Sequence, residues 1–159
     1  MKRKKLFRIM ALVAIAGVLI GGGTAIYMFN MPHRDVLALE ADYSLSNTEI
    51  VAEYLANRRS ADNKYLAEDG NSKILEVTGT VSKISENYNA QKVVLLKEDD
   101  DKAGVSATFT DQTNDKVSGL EVGARVTIKG VIRSGAAYDE DLGLYENVIL
   151  EKSDIVYHK

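Results

Sequence analysis

One stretch near the N-terminus constrains this chain more than any other. Ile9 to Phe29 is a run of 21 residues without a charge, and as a helix rising 1.5 Å per residue it would reach about 31 Å, the hydrocarbon thickness of a bilayer. Lys2, Arg3, Lys4, Lys5 and Arg8 precede it, and the first acidic residue is Asp35. Basic residues on one flank orient such a helix with its N-terminus in the cytoplasm. The sequence therefore predicts a single-pass anchor in the cytoplasmic membrane, with everything after Asn30 on the far side. Tyr27 and Phe29 stand where interfacial aromatic residues are expected. A cleaved signal peptide shares the basic start but has a shorter apolar region ending in a small-x-small site. The bulk of Tyr27, Met28 and Phe29 favours the anchor, and both readings export the rest. Gly17 and Gly21 have a Gly-x-x-x-Gly spacing, a weak sign of helix pairing because glycine is common in spanning helices. The oligomeric state stays open.

The remaining length holds one compact core at most. Taking those five basic residues from 20 leaves 15 against 23 acidic ones, so residues 31–159 carry a formal charge of −8. A domain of that sign repels polyanions and lacks the basic footprint of a nucleic-acid binder. The chain contains no Cys, which removes disulfides, thiolate metal sites, cysteine nucleophiles and lipid-modified cysteine from consideration.

The patterning divides the chain into three parts: a basic tail and anchor over 1–30, an extended linker over 31–45 and a folded domain over 46–159. Ser46 stands three residues before Glu49, the spacing of a capping box, and predicts one amphipathic helix from Asn47 to about Leu66. Ile50, Val51, Tyr54, Leu55, Ala61 and Tyr65 form its apolar stripe, which is expected to pack against the β-strands C-terminal to it. From Lys73 onward the apolar residues alternate, predicting strands at Ile74–Ser85, Lys92–Lys97, Val105–Thr110, Arg125–Ser134 and Asn147–Val156. Gly79 and Gly130 interrupt the first and fourth, where a small barrel needs a strand to bend or bulge. The predicted fold class is an all-β core, a five-stranded Greek-key barrel, preceded by the transmembrane helix and the amphipathic helix.

The segments VTGTVSKI (77–84), LEVGARV (120–126) and VTIKGVI (126–132) resemble strands of the oligonucleotide/oligosaccharide-binding (OB) fold. With NKYLAEDG (63–70) before the first strand and YMFNMPHRD (27–35) after the apolar run, the chain resembles the bacterial tRNA_anti-like family of OB-fold proteins, often exported or membrane-tethered. The resemblance covers about residues 46–157 and implies single-strand binding through aromatic platforms and a basic groove. This sequence departs from that pattern. Phe109 is the one aromatic residue in the second and third strands, and its parity with Val105 and Ala107 places it in the core. Tyr88 in the first loop, and Tyr138 and Tyr145 flanking the last, are the candidate ligand-binding residues, although a tyrosine at a loop edge is more often a packing residue.

Two acidic runs, Glu98–Asp101 and Asp139–Asp141, lie in loops. They are either solvated loops or oxygen-rich cation sites, and they lack the alternating ligand spacing of an EF-hand; no metal site is expected. His33 and His158 stand beside the apolar run and at the C-terminus, away from any triad. Nucleophile elbow, phosphate loop and His-Glu-x-x-His motifs are missing from the sequence, so neither an enzyme nor a cofactor is expected. The expected function is a non-catalytic, membrane-tethered OB-fold binding module outside the cytoplasm with a protein or small-ligand partner. Single-stranded nucleic-acid binding and a structural envelope or assembly role are the alternatives.

Overall fold

In the computed structural model the chain is described over residues 2–29 and 35–157, with the side chains of residues 10 and 13–27 in the first helix. It forms two compact units, Met1–Arg34 and Asp35–Lys159. In the first, the uncharged run lies within one helix, α1 (Lys2–Phe29). The Thr24 hydroxyl donates to the Ile20 carbonyl at 2.7 Å, so its polar atom is satisfied within the helix. Among the described residues, however, no helix is long and apolar enough to cross a membrane. The side chains described along α1 are those of residues 10 and 13–27. The other side chains of the expected span lie outside the described residues, so the predicted transmembrane helix is corrected to a helix only.

The second unit begins earlier than the sequence suggests. Val36 is buried, and the Leu37 and Leu39 carbonyls accept hydrogen bonds from Lys129 Nζ at 2.9 and 3.1 Å. β1 (Tyr43–Ser46) then runs parallel to residues Leu75–Thr78. Residues 35–45 thus belong to the folded unit, and residues 31–34 of the expected linker lie outside the described residues.

After β1 the capping box forms. The Ser46 hydroxyl accepts from Glu49 N at 3.2 Å, and the Glu49 carboxylate accepts from Ser46 N at 2.7 Å. The Ser46 backbone N–H first, and then the Ser46 hydroxyl, which donates to the same carboxylate at 2.9 Å, hold the Glu49 carboxyl below its ordinary value. The expected single helix is two: α2 (Asn47–Ala56) and α3 (Arg58–Tyr65). Asn57 breaks it by serving both ends. Its extended backbone closes α2 while its side chain accepts from Ser60 N at 3.0 Å to open α3. Replacing Ser46 with Ala is expected to cost about 1 kcal/mol in a denaturant melt at neutral pH. The capping contribution of Glu49 carries a lowered folded pKa, so it is present above the unfolded carboxylate value and lost as pH falls through the folded one. The S46A difference should therefore shrink in acid.

The barrel strands match their expected positions: β2 (Ile74–Glu86), β3 (Lys92–Leu96), β4 (Val105–Phe109), β5 (Arg125–Ser134) and β8 (Val148–Val156). Between them lie a short helix, α4 (Asn114–Val117), and a hairpin of β6 (Ala137–Asp139) and β7 (Leu144–Glu146). The order β1-β2-β3-β4-β8-β5, with β5 returning to β2, closes five strands into a barrel and leaves β1 outside. β4 and β8 are parallel and the other pairs within the barrel antiparallel. The long strand β2 serves different partners at its two ends, β1 over 75–78 and β3 over 81–86. Gly79 lies at that exchange. Gly130 faces the irregular part of β8, where a Cβ would approach Ser153 Oγ at 2.8 Å. Phe109, Leu96, Ile128, Ile132 and Leu150 are fully buried, as the alternation requires.

Candidate functional site

The three candidate tyrosines fall in two places. Tyr88 stands at the β2–β3 turn, fully exposed. Tyr138 and Tyr145 are opposite each other across β6 and β7, with ring centroids 4.8 Å apart and planes tilted by 50°. Such cross-strand aromatic pairs stabilise a two-stranded ribbon. The turn that joins them is set by Gly143 at φ 65°, whose N–H donates to the Asp139 carbonyl at 2.8 Å. Tyr138 stays about half exposed, whereas Tyr145 packs against the core.

A cleft of about 410 Å³ opens beside this pair. Tyr88 is not among the residues that line it; Tyr138 and Tyr145 both are. Tyr54, Leu55 and Arg58, from α2 and the start of α3, also line it. Lys102, from the β3–β4 loop, lies over Tyr145 with Nζ 5.6 Å from the ring centroid, within cation–π range. Arg58 is more than half exposed and pairs loosely with Asp62 at 3.7 Å. Tyr54 is buried, and its hydroxyl lacks a hydrogen-bond partner. Burial first, and then the nearby Asp62, push that hydroxyl's pKa well up, so it stays protonated and remains a donor. Space for the Tyr54 ring comes from Gly135 at the end of β5, since a Cβ there would run into the ring. A second cleft of about 330 Å³, beside Thr78, Arg125 and Thr127, offers one ring, Tyr157.

The acidic loop is partly accounted for by internal partners. Asp101 Oδ2 accepts from Asn47 Nδ2 at 2.7 Å, Thr48 Oγ1 at 3.0 Å and Glu98 N at 3.3 Å, which ties the loop to the first turn of α2. Glu98 Oε1 accepts from Thr80 N at 3.2 Å and Thr80 Oγ1 at 3.0 Å, and lies 3.4 Å from Arg125 Nη1. Among the described residues no group of three or more His, Asp or Glu is placed to hold a metal ion. His33 and His158 lie outside the described residues. Sequence reasoning missed the cleft-lining roles of Arg58 and Lys102: one reads as the polar side of a helix and the other as the end of an acidic run.

The sequence profile of the tRNA_anti-like family matches residues 1–141. Among solved structures, the fold is similar to that of a lipoprotein from Klebsiella pneumoniae subsp. pneumoniae with a proposed nucleic-acid-binding role. The TM-score is 0.53 and the identity 16%, over 80% of this chain and 100% of that one. At that identity the likeness speaks for the fold alone. No curated protein matches the sequence.

Proposed function

The chain belongs to the tRNA_anti-like family, and from that premise we propose that it is a non-catalytic binding module, tethered to the cytoplasmic membrane by α1, whose barrel engages its ligand outside the cytoplasm. The observation that carries the binding role is the cleft with Tyr138 and Tyr145 on one wall and Lys102 over the second ring. Aromatic faces beside a cation, on a hairpin held by a closed barrel, form a preorganised recognition surface. Tethering rests on the 21 uncharged residues, the basic flank before them and their inclusion in one helix of 28 residues. Large apolar side chains along it, Val18, Leu19 and Ile20 among them, are exposed, an arrangement suited to lipid.

Two measurements test this reading. In cells expressing the full chain, protease added after the outer layers are opened should digest residues 35–159 while α1 stays with the membrane fraction; a protected domain would overturn the topology. Tyr138→Ala and Tyr145→Ala should each weaken capture of whatever the domain retains from envelope extract, by about tenfold on the scale of a lost stacking platform. Tyr88→Ala should change capture little, and stability by less than about 0.5 kcal/mol. Equal loss from all three would remove the cleft as the site.

Single-stranded nucleic-acid binding is the second reading, favoured by the role proposed for the Klebsiella protein and opposed by the −8 charge of residues 31–159. A gel shift at low salt separates them, because phosphate contacts show most strongly there.

A further inference from the structure

We infer that the cleft takes a small anion carrying a flat ring, such as an aryl carboxylate or aryl phosphate, in preference to a polymer strand. The inference rests on the cleft being the binding site, as proposed above, and adds the chemistry of its occupant. Arg58 and Lys102 are the charged residues among those that line it, and both are basic. That is a local reversal of sign in a unit where acidic residues outnumber basic ones. They come from separate elements, so folding brings the two charges to one opening. Arg58 offers a planar fork of donors suited to a carboxylate or phosphate, and its bond to Asp62 is long and exposed.

The ring requirement comes from the two tyrosines. Tyr138 and Tyr145 are tilted, not face to face, and about half of Tyr138 is open to solvent. A flat apolar group is the natural cover for such a face. Tyr54 also lines the cleft, with its hydroxyl buried and not open to solvent. A volume of about 410 Å³ lies at the small end of ligand pockets.

The surroundings oppose a polymer. Asp99 and Asp100 are exposed on the loop that carries Lys102, and Glu140 and Asp141 are exposed at the turn of the hairpin that carries both tyrosines. A single anion at this opening meets two basic side chains. A strand longer than the cleft would meet exposed carboxylates on the same loop and hairpin, which repel added phosphates.

Titration calorimetry on the full chain in detergent tests this with five probes: phenyl phosphate, benzoate, benzyl alcohol, inorganic phosphate and oligothymidylate of about twelve nucleotides. Phenyl phosphate and benzoate should bind about tenfold more tightly than benzyl alcohol or inorganic phosphate, and Arg58→Gln and Lys102→Gln should each weaken them about five- to tenfold, the upper end of an ordinary hydrogen bond's net worth, as suits exposed charges. Equal binding of benzyl alcohol, lost in Tyr138→Ala but untouched by the charge variants, would overturn the anionic class and leave the cleft as the site. Phenyl phosphate binding indifferent to Tyr138 and Tyr145 would place the site elsewhere and remove the reading on which the inference rests. Oligothymidylate binding about a hundredfold above phenyl phosphate, with steep salt dependence, would overturn the preference for a small ligand. No heat from either anionic ring at about 10 mM would overturn the ligand class outright, leaving the cleft to the capture experiment.

Discussion

Gly135→Ala is expected to destabilise the domain by about 3 kcal/mol, a large effect for the addition of one methyl group. The added Cβ would enter the space of the Tyr54 ring, meeting three of its carbons. Neither side yields cheaply. Tyr54 is fully buried and stacks on Tyr65 at 6.0 Å between centroids. Tyr65 is itself held by its hydroxyl bond to Glu53 at 2.8 Å and by Lys64 over its ring at 4.7 Å. Gly135 directly follows β5, which is paired to β2 and β8. Tyr54→Ala should cost about 3–5 kcal/mol through the cavity it leaves. The two changes should not add: without the ring, Gly135→Ala should cost less than about 1 kcal/mol. Urea melts of the two single variants and the double variant measure the coupling. Full additivity would mean that the ring does not rest on Gly135 in solution.

That contact also shows what the sequence discloses and what it hides. Tyr54 is legible as part of an apolar helix stripe because its neighbours recur at helical spacing. Its position against a glycine 81 residues later is not, because nothing local records which strand end a helix will meet. The barrel strands are legible for the opposite reason: alternation is a local consequence of having one face buried. β1 escapes notice because its pairing is with Leu75–Thr78, far along the chain, and Tyr-Ser-Leu-Ser is too short to display a period. The helix break escapes because Asn57 sits between two stretches that both favour helix, and its dual capping role exists only once the chain turns. Tyr138 and Tyr145 are legible as loop-edge rings, but their pairing depends on a hairpin whose tip, Asp139 to Gly143, reads as a solvated acidic turn. Arg58 and Lys102 give no local signal of a shared cleft. Their convergence is a property of topology.

Gly79→Ala should have the second large effect, about 3 kcal/mol, and it should reach the cleft as well as the fold. The Cβ would collide with the Asn47 side chain, its nearest contact being Oδ1 and its third Asn47 Cβ at 3.2 Å. The Asn47 amide must move to clear the added methyl, while its β-carbon need give by only a few tenths of an ångström. Asn47 is buried, and moving it breaks the 2.7 Å bond from its Nδ2 to Asp101. Bonds to a charged group contribute about 1.5–3 kcal/mol, and overpacking adds to that loss. Asp101 would keep only part of its tie to α2 through Thr48 Oγ1. Lys102 is the next residue, and its place over Tyr145 depends on this loop. The variant should therefore be less stable in urea and, at temperatures where it remains folded, weaker toward an anionic ring by a few-fold. On an Asn47→Ala background the glycine substitution should cost less than about 1 kcal/mol, since the colliding amide is gone. Asp100→Asn, at an exposed position of the same loop, should shift stability by less than about 0.5 kcal/mol. A loss as large from Asp100→Asn as from Gly79→Ala would mean that the loop is held by its overall charge and not by the Asn47–Asp101 bond.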